Sequence, residues 1–89
     1  MLNLVWDEQF LKSLKKWKIK HPDLFTRLQD KLTLFCEEPF HVSLHTHKLS
    51  GILLGSWALS INYEYRLVFK FIDDQNALLI DIGTHDEVY

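Results

Sequence analysis

The chain has 89 residues, room for one domain over 1–89 with one modest core, and no apolar run long enough to cross a bilayer, so no membrane partner is expected. Its one cysteine, Cys36, excludes an internal disulfide and a multi-cysteine zinc cage and suits a reducing compartment. With no basic stretch ahead of an apolar run at the start, a cytoplasmic location is expected. The formal net charge of −2 argues against a uniformly basic nucleic-acid binder, yet residues 1–20 carry five positive and two negative charges while the remainder carries five positive and ten negative.

Leu2, Leu4 and Trp6 alternate with Asn3 and Val5, the period of a short first strand, and Asp7 stands where an N-cap accepts backbone N–H bonds. Phe10, Leu11, Leu14 and Trp17 then fall at helical spacing to about Lys18. That helix also carries Lys12, Lys15, Lys16, Lys18 and Lys20, a face that either leans on phosphate or is simply solvated. His21-Pro22 resets the chain, with Pro22 suited to the first turn of a second helix. Leu24, Phe25, Leu28, Leu32 and Phe35 give this helix its buried stripe, Cys36 reads as a packing residue, and Pro39 forbids helical geometry at Glu38. The two helices form a hairpin.

From Leu44 the period becomes two. Leu44, Thr46 and Lys48 oppose His45, His47 and Leu49, and Trp57, Leu59, Ile61 and Tyr63 oppose Ala58, Ser60 and Asn62, as in half-buried strands. Residues 65–72 and 77–82 are β-branched and aromatic runs joined by Asp73-Asp74-Gln75-Asn76, a turn that closes a hairpin. If Ile72 pairs with Ala77, then Arg66 lies opposite Gly83, Val68 opposite Asp81 and Glu64 opposite His85. Glu64, Arg66, Lys70, Asp81 and His85 then share one face. Tyr65, Leu67, Phe69, Phe71, Leu78, Ile80 and Ile82 form the other, which must pack under the helix hairpin to give an α+β fold its core.

The polar face suits phosphate chemistry. Arg66 cannot lose its charge and can hold a phosphate bidentately, while His85 supplies an imidazole, a group able to exchange protons, and is expected across from Glu64. The competing structural explanations are an ion pair of Arg66 with Asp81 or Glu64, and an exposed, inert position for His85 near the chain's end. His41, His45 and His47 have a spacing that superficially resembles a metal site, but a clear fourth ligand is missing and polar groups at a sheet edge are the expectation, with no metal and no cofactor. His47 and Lys48, just before the Leu49-Ser50-Gly51 bend, are expected near the mouth of the same concave face. Trp6 and Trp57 are expected in the core.

The order of elements, with His47-Lys48-Leu49-Ser50-Gly51, Tyr65-Arg66-Leu67-Val68-Phe69 and Ile82-Gly83-Thr84-His85-Asp86-Glu87-Val88-Tyr89, resembles the RelE/ParE superfamily of bacterial toxins, nearest its YafQ-like and RelE/StbE-like ribonuclease branch. The resemblance implies a fold of N-terminal strand, two-helix hairpin and antiparallel meander. It also implies a metal-independent endoribonuclease that cleaves mRNA on the ribosome by attack of a ribose 2′-hydroxyl on the adjacent phosphate. A cognate antitoxin would silence it, with DNA contacted only through that complex.

By position the resemblance assigns catalysis to Arg66, His85 and Tyr89, and places His47 and Lys48 on the variable basic strand. Arg66 would relieve charge on the phosphorane, His85 would protonate the departing 5′-oxygen, Tyr89 would orient the phosphate or stack on a base, and His47 or Glu64 would take the 2′-hydroxyl proton. Lys48, Lys70, Lys12, Lys15 and Lys16 are the expected RNA contacts. The alternatives are a ParE-like DNA gyrase inhibitor, which needs no catalytic histidine, and an inactive module kept for binding its antitoxin.

Overall fold

A computed structural model of the chain describes residues 1–51 and 55–88. Its elements are β1 (Asn3–Trp6), α1 (Glu8–Lys20), α2 (Pro22–Glu37), a 3₁₀ turn (Val42–Leu44), β2 (His47–Lys48), β3 (Trp57–Ser60), β4 (Tyr65–Phe71), β5 (Asn76–Thr84) and α3 (His85–Val88). The expected α+β architecture is present.

The helix signals act where the sequence puts them. Asp7 accepts from the Gln9 N–H at 3.1 Å and caps α1. The helix runs to Lys20, two residues past the expected end, because His21 serves both as its C-cap and as the N-cap of α2, with Pro22 in the first turn. Glu38 leaves helical geometry ahead of Pro39, and its N–H closes on the Leu34 carbonyl at 2.7 Å. Phe10 and Trp17 of α1 and Leu28, Leu32 and Phe35 of α2 are buried, while Leu24 and Phe25 pack half-buried against them and Leu11 is exposed. Cys36 is half-buried, burial pushes its thiol pKa up, and its carbonyl accepts from the Leu2 N–H at 2.9 Å.

Among the described residues the sheet has five strands in the order β1-β5-β4-β3-β2. β3, β4 and β5 form the antiparallel meander, while β1 joins the far edge parallel to β5. Two expected strand lengths need correction. The run from Leu44 is a strand only at His47 and Lys48, because Val42–Leu44 forms a 3₁₀ turn and His45 takes a left-handed backbone with φ 50°. β3 ends at Ser60 because the Asn62 carboxamide accepts from the N–H groups of Glu64 and Tyr65, at 2.9 and 2.7 Å, and folds the chain back. Tyr63, at the tip, is 91% exposed.

The β4–β5 ladder follows the expected register at one end only. Arg66 pairs with Gly83, Leu67 with Ile82 and Val68 with Asp81, but beyond a bulge Phe69 pairs with Leu79 and Phe71, not Ile72, with Ala77. Ile80 is the extra residue, and it reverses side-chain parity along β5. The core therefore takes Ala77, Leu79 and Ile82 in place of the expected Leu78 and Ile80, which are only half-buried. Phe35 of α2 meets Phe69 edge-on at 4.6 Å in the middle of this core. Trp57 packs at its margin against Phe40 and Phe71, whereas Trp6 remains 41% exposed and rests on Phe10, a correction to its expected burial.

The bulge separates two neighbouring leucines energetically. Leu79→Ala should cost about 3 kcal/mol through the cavity it leaves, against about 1 kcal/mol for Leu78→Ala. Urea unfolding of both variants measures this, and equal costs would contradict the bulged register.

Candidate functional site

Arg66 stands on the sheet face away from the core, between Ser60 of β3 and Gly83 of β5. Its Nη1 donates to the carbonyls of Asn62 at 2.7 Å and Tyr65 at 3.1 Å, so the turn that Asn62 caps also aims the guanidinium. Among the described residues no carboxylate forms an ion pair with it. Asp81, one of the acids expected to do so, accepts from the Ile82 N–H at 2.8 Å. Carbonyl anchoring satisfies donors while leaving the positive charge uncompensated.

The cation faces a hollow of about 400 Å³ at the β2–β3–β4 end of the sheet. His45 and His47 line it from the segment around β2, and Arg27 and Lys31 from α2. The Lys31 ammonium is steadied by the Ser43 carbonyl at 3.0 Å. His47 Nδ1 lies 2.8 Å from the His45 carbonyl, which can only accept, so Nδ1 is the donor of that bond. No acidic side chain lines the hollow among the described residues. Three permanent cations and two imidazoles around one space suit a polyanionic ligand.

Arg27 and Lys31 were not singled out by sequence reasoning. Their signal is a pair of cations at i,i+4 on α2, flanking the buried Leu28 and Leu32, which by sequence alone looks like a solvated face.

The other expected site residues are distributed as follows. Lys70 shares the outward face of β4 with Arg66 and is exposed. Lys48 does not share His47's face: it pairs with Trp57 on the opposite side, its ammonium 5.5 Å from that ring, because adjacent strand residues alternate. Glu64 sits in the exposed bend before β4, and the ladder ends at Tyr65 and Thr84, so the expected Glu64–His85 pairing is not formed. Lys12, Lys15 and Lys16 are exposed along α1, and Lys16 borders a second hollow with Trp17, Lys20, His21, Tyr65 and Glu87. Tyr89 lies outside the described residues. His41, the first of the histidine cluster, is engaged with Ser43, whose N–H and hydroxyl lie 3.1 and 2.9 Å from its Nδ1.

His85 opens α3 and does not line the Arg66 hollow. Its imidazole is 68% exposed, with Nδ1 3.6 Å from Asp86. A reciprocal capping box holds the turn: Glu87 accepts from the Thr84 N–H at 2.8 Å, and the Thr84 hydroxyl accepts from the Glu87 N–H at 3.3 Å. Hydrogen bonding of the Glu87 carboxyl to the Thr84 N–H and then to the Thr84 side chain, followed by the nearby Lys20 and His21, lowers its pKa against a smaller opposing effect of desolvation. Tyr65, whose hydroxyl meets His21 Nε2 at 3.0 Å, has its phenol pushed up by burial and then by Glu64 and Glu87.

No family model matches this sequence, and no curated protein matches it. Solved structures do match in shape. YafQ from E. coli strain BL21(DE3) superposes with a TM-score of 0.83 at 20% identity, covering 100% of this chain and 99% of that one. The E. coli DinJ–YafQ toxin–antitoxin complex gives 0.80 at 20% identity over 99% and 97%. The YoeB/ParE toxin from Agrobacterium tumefaciens gives 0.75 at 21% identity over 94% and 99%. The expected RelE/ParE-type fold, in its YafQ-like form, is therefore the fold observed.

The capping carboxylate makes α3 sensitive to acid. A carboxyl held below its ordinary value contributes fully above that value and loses its contribution as pH falls through the lowered one. From about pH 7 to about pH 3 the Thr84 amide should lose hydrogen-exchange protection and α3 should loosen. NMR of the Thr84 and Glu87 amides checks this, and unchanged signals across that range would contradict it.

Proposed function

We propose that the chain is the toxin of a toxin–antitoxin pair and acts as an endoribonuclease on mRNA held by the ribosome in the cytoplasm. One observation carries the proposal: Arg66, anchored by neutral carbonyls, faces a hollow that it shares with His47, Arg27 and Lys31 and that no carboxylate lines among the described residues. The fold common to YafQ and YoeB supports it.

RNA transesterification needs a positioned 2′-oxygen, relief of charge on the phosphorane and a proton for the departing 5′-oxygen. The 2′-oxygen bonds to phosphorus as its proton passes to a base; the bond from phosphorus to the 5′-oxygen breaks, and that oxygen is protonated. Arg66 spans the non-bridging oxygens, where its planar fork matches two acceptors. His47 Nε2 is the better placed of the two candidate bases, since it lines the hollow and Glu64 does not. His85 does not line the hollow but sits on the turn packed over Gly83, the strand partner of Arg66; from that side it donates the proton to the departing oxygen, and Tyr89 orients the phosphate or stacks on a base. Arg27 and Lys31 take a neighbouring phosphate, with Lys70, Lys12, Lys15 and Lys16 as outer contacts to RNA and Lys48 reaching it only away from the hollow, from the opposite side of the sheet. The ribosome presents the codon in a reactive pose, so slow cleavage of free RNA is compatible with the proposal. By analogy with the DinJ–YafQ toxin–antitoxin complex, the chain binds a cognate antitoxin; the proposal adds that this partner silences it and that DNA is reached only through the assembly.

Cleavage on programmed ribosomes tests the assignment. Arg66→Ala and His85→Ala should each lower the rate by about a hundredfold or more while leaving the fold and antitoxin binding intact. Arg66→Lys should still lose about tenfold, because a point charge replaces a two-pronged donor. Unchanged cleavage in Arg66→Ala would end the phosphate-clamp role. Inhibited supercoiling with trapped gyrase, and intact messages, would favour the ParE-like alternative.

A further inference from the structure

Gly83 has no side chain for a reason other than backbone freedom. It lies within β5 and is not among the residues with positive φ. As the cross-strand partner of Arg66, it would project any side chain on the guanidinium's side of the sheet. That space is taken by the terminal turn. A Cβ at Gly83 would stand 3.1 Å from both Glu87 Cβ and Val88 Cγ1, and 3.3 Å from Glu87 Oε1. α3 is thus laid against the strand position directly beside Arg66.

Four residues of helix do not hold themselves together in water. The turn persists through two sets of contacts: the seat over Gly83, and the capping box that ties Thr84 to Glu87 in both directions. His85 lies between the two members of that box, so its Cα is fixed although its imidazole is exposed. The ring is largely exposed, while its point of attachment is held in place.

We infer that Gly83, Thr84 and Glu87 are positioning residues, which seat the terminal turn beside the Arg66 strand and thereby set where the His85 imidazole meets the departing oxygen. The inference rests on the proposed role of His85 as proton donor. None of the three residues touches the reacting atoms; their effect passes through His85.

Single-turnover and steady-state cleavage on ribosomes programmed with one mRNA test this. Glu87→Ala and Thr84→Ala should each lower kcat about tenfold with KM little changed, since misplacing a catalytic group weakens the chemical step more than binding. Glu87→Gln keeps an acceptor for the Thr84 N–H and Thr84→Ser keeps the hydroxyl, so both should recover most of the rate. In a His85→Ala background, Glu87→Ala should cost nothing further. Gly83→Ala should behave like Glu87→Ala, and if it fails to fold the Thr84 and Glu87 variants still decide. Wild-type kcat in Glu87→Ala and Thr84→Ala, with His85→Ala impaired, would overturn the positioning role and leave the general acid standing. Losses that multiply in the double variant would also overturn it. Wild-type cleavage by His85→Ala would remove the general acid, and the positioning role with it.

Discussion

The structure depends on a single extra residue in β5. If the register at the turn end of the β4–β5 hairpin ran on unbroken, Ile82 rather than Gly83 would stand opposite Arg66, on the solvent side. The bulge at Ile80 resets the count, so that Ala77 and Leu79 on one side of it and Ile82 on the other all reach the core. It also has an electrostatic result: beside the irregularity, Asp81 folds onto its own strand to accept the Ile82 N–H, and the acid expected to neutralise Arg66 is engaged elsewhere.

Charge location matters more here than charge sum. The chain is acidic overall, yet Arg27, Lys31 and Arg66 converge on one hollow from α2 and β4. Neutral carbonyls take donors of Arg66 Nη1 and of the Lys31 ammonium, so each cation is steadied without an acid and keeps its remaining donors for a ligand. An incoming anion therefore meets cations already oriented, with no internal carboxylate to displace. The lysines of α1, by contrast, are spread along an exposed helix, where solvent and salt screen them.

Much of the architecture is written in local chemistry. The Asp7 cap, the Pro22 start, the Pro39 stop and the alternation around Arg66 each rest on one or two neighbouring residues, and each appears in the structure. What escapes the sequence depends on distant partners. The bulge follows from fitting two faces to one core, and β1's parallel place beside β5 from closing the chain over its own helices. The short β2 follows from a left-handed His45, a conformation that no alternation of polar and apolar residues announces. Arg27 and Lys31 were opaque for the same reason: a cation on a solvated helix and a cation aimed into a hollow look alike until the facing strand is placed. Arg66 was legible on the polar face and His47 near its mouth, whereas the assumed Glu64–His85 pair failed because the ladder stops one residue short of it.

His21 joins α1 to α2 with no intervening loop, closing the first helix with its backbone while its ring meets the Tyr65 hydroxyl. The helices are consequently coupled: a residue inserted at this joint has no loop to absorb it and would shift where α2 begins. Leu28 and Leu32 in the core, and Arg27 and Lys31 at the hollow, all depend on that starting point. Homologous chains of this design should therefore tolerate length variation in the hairpin tips while keeping the helix junction at constant length.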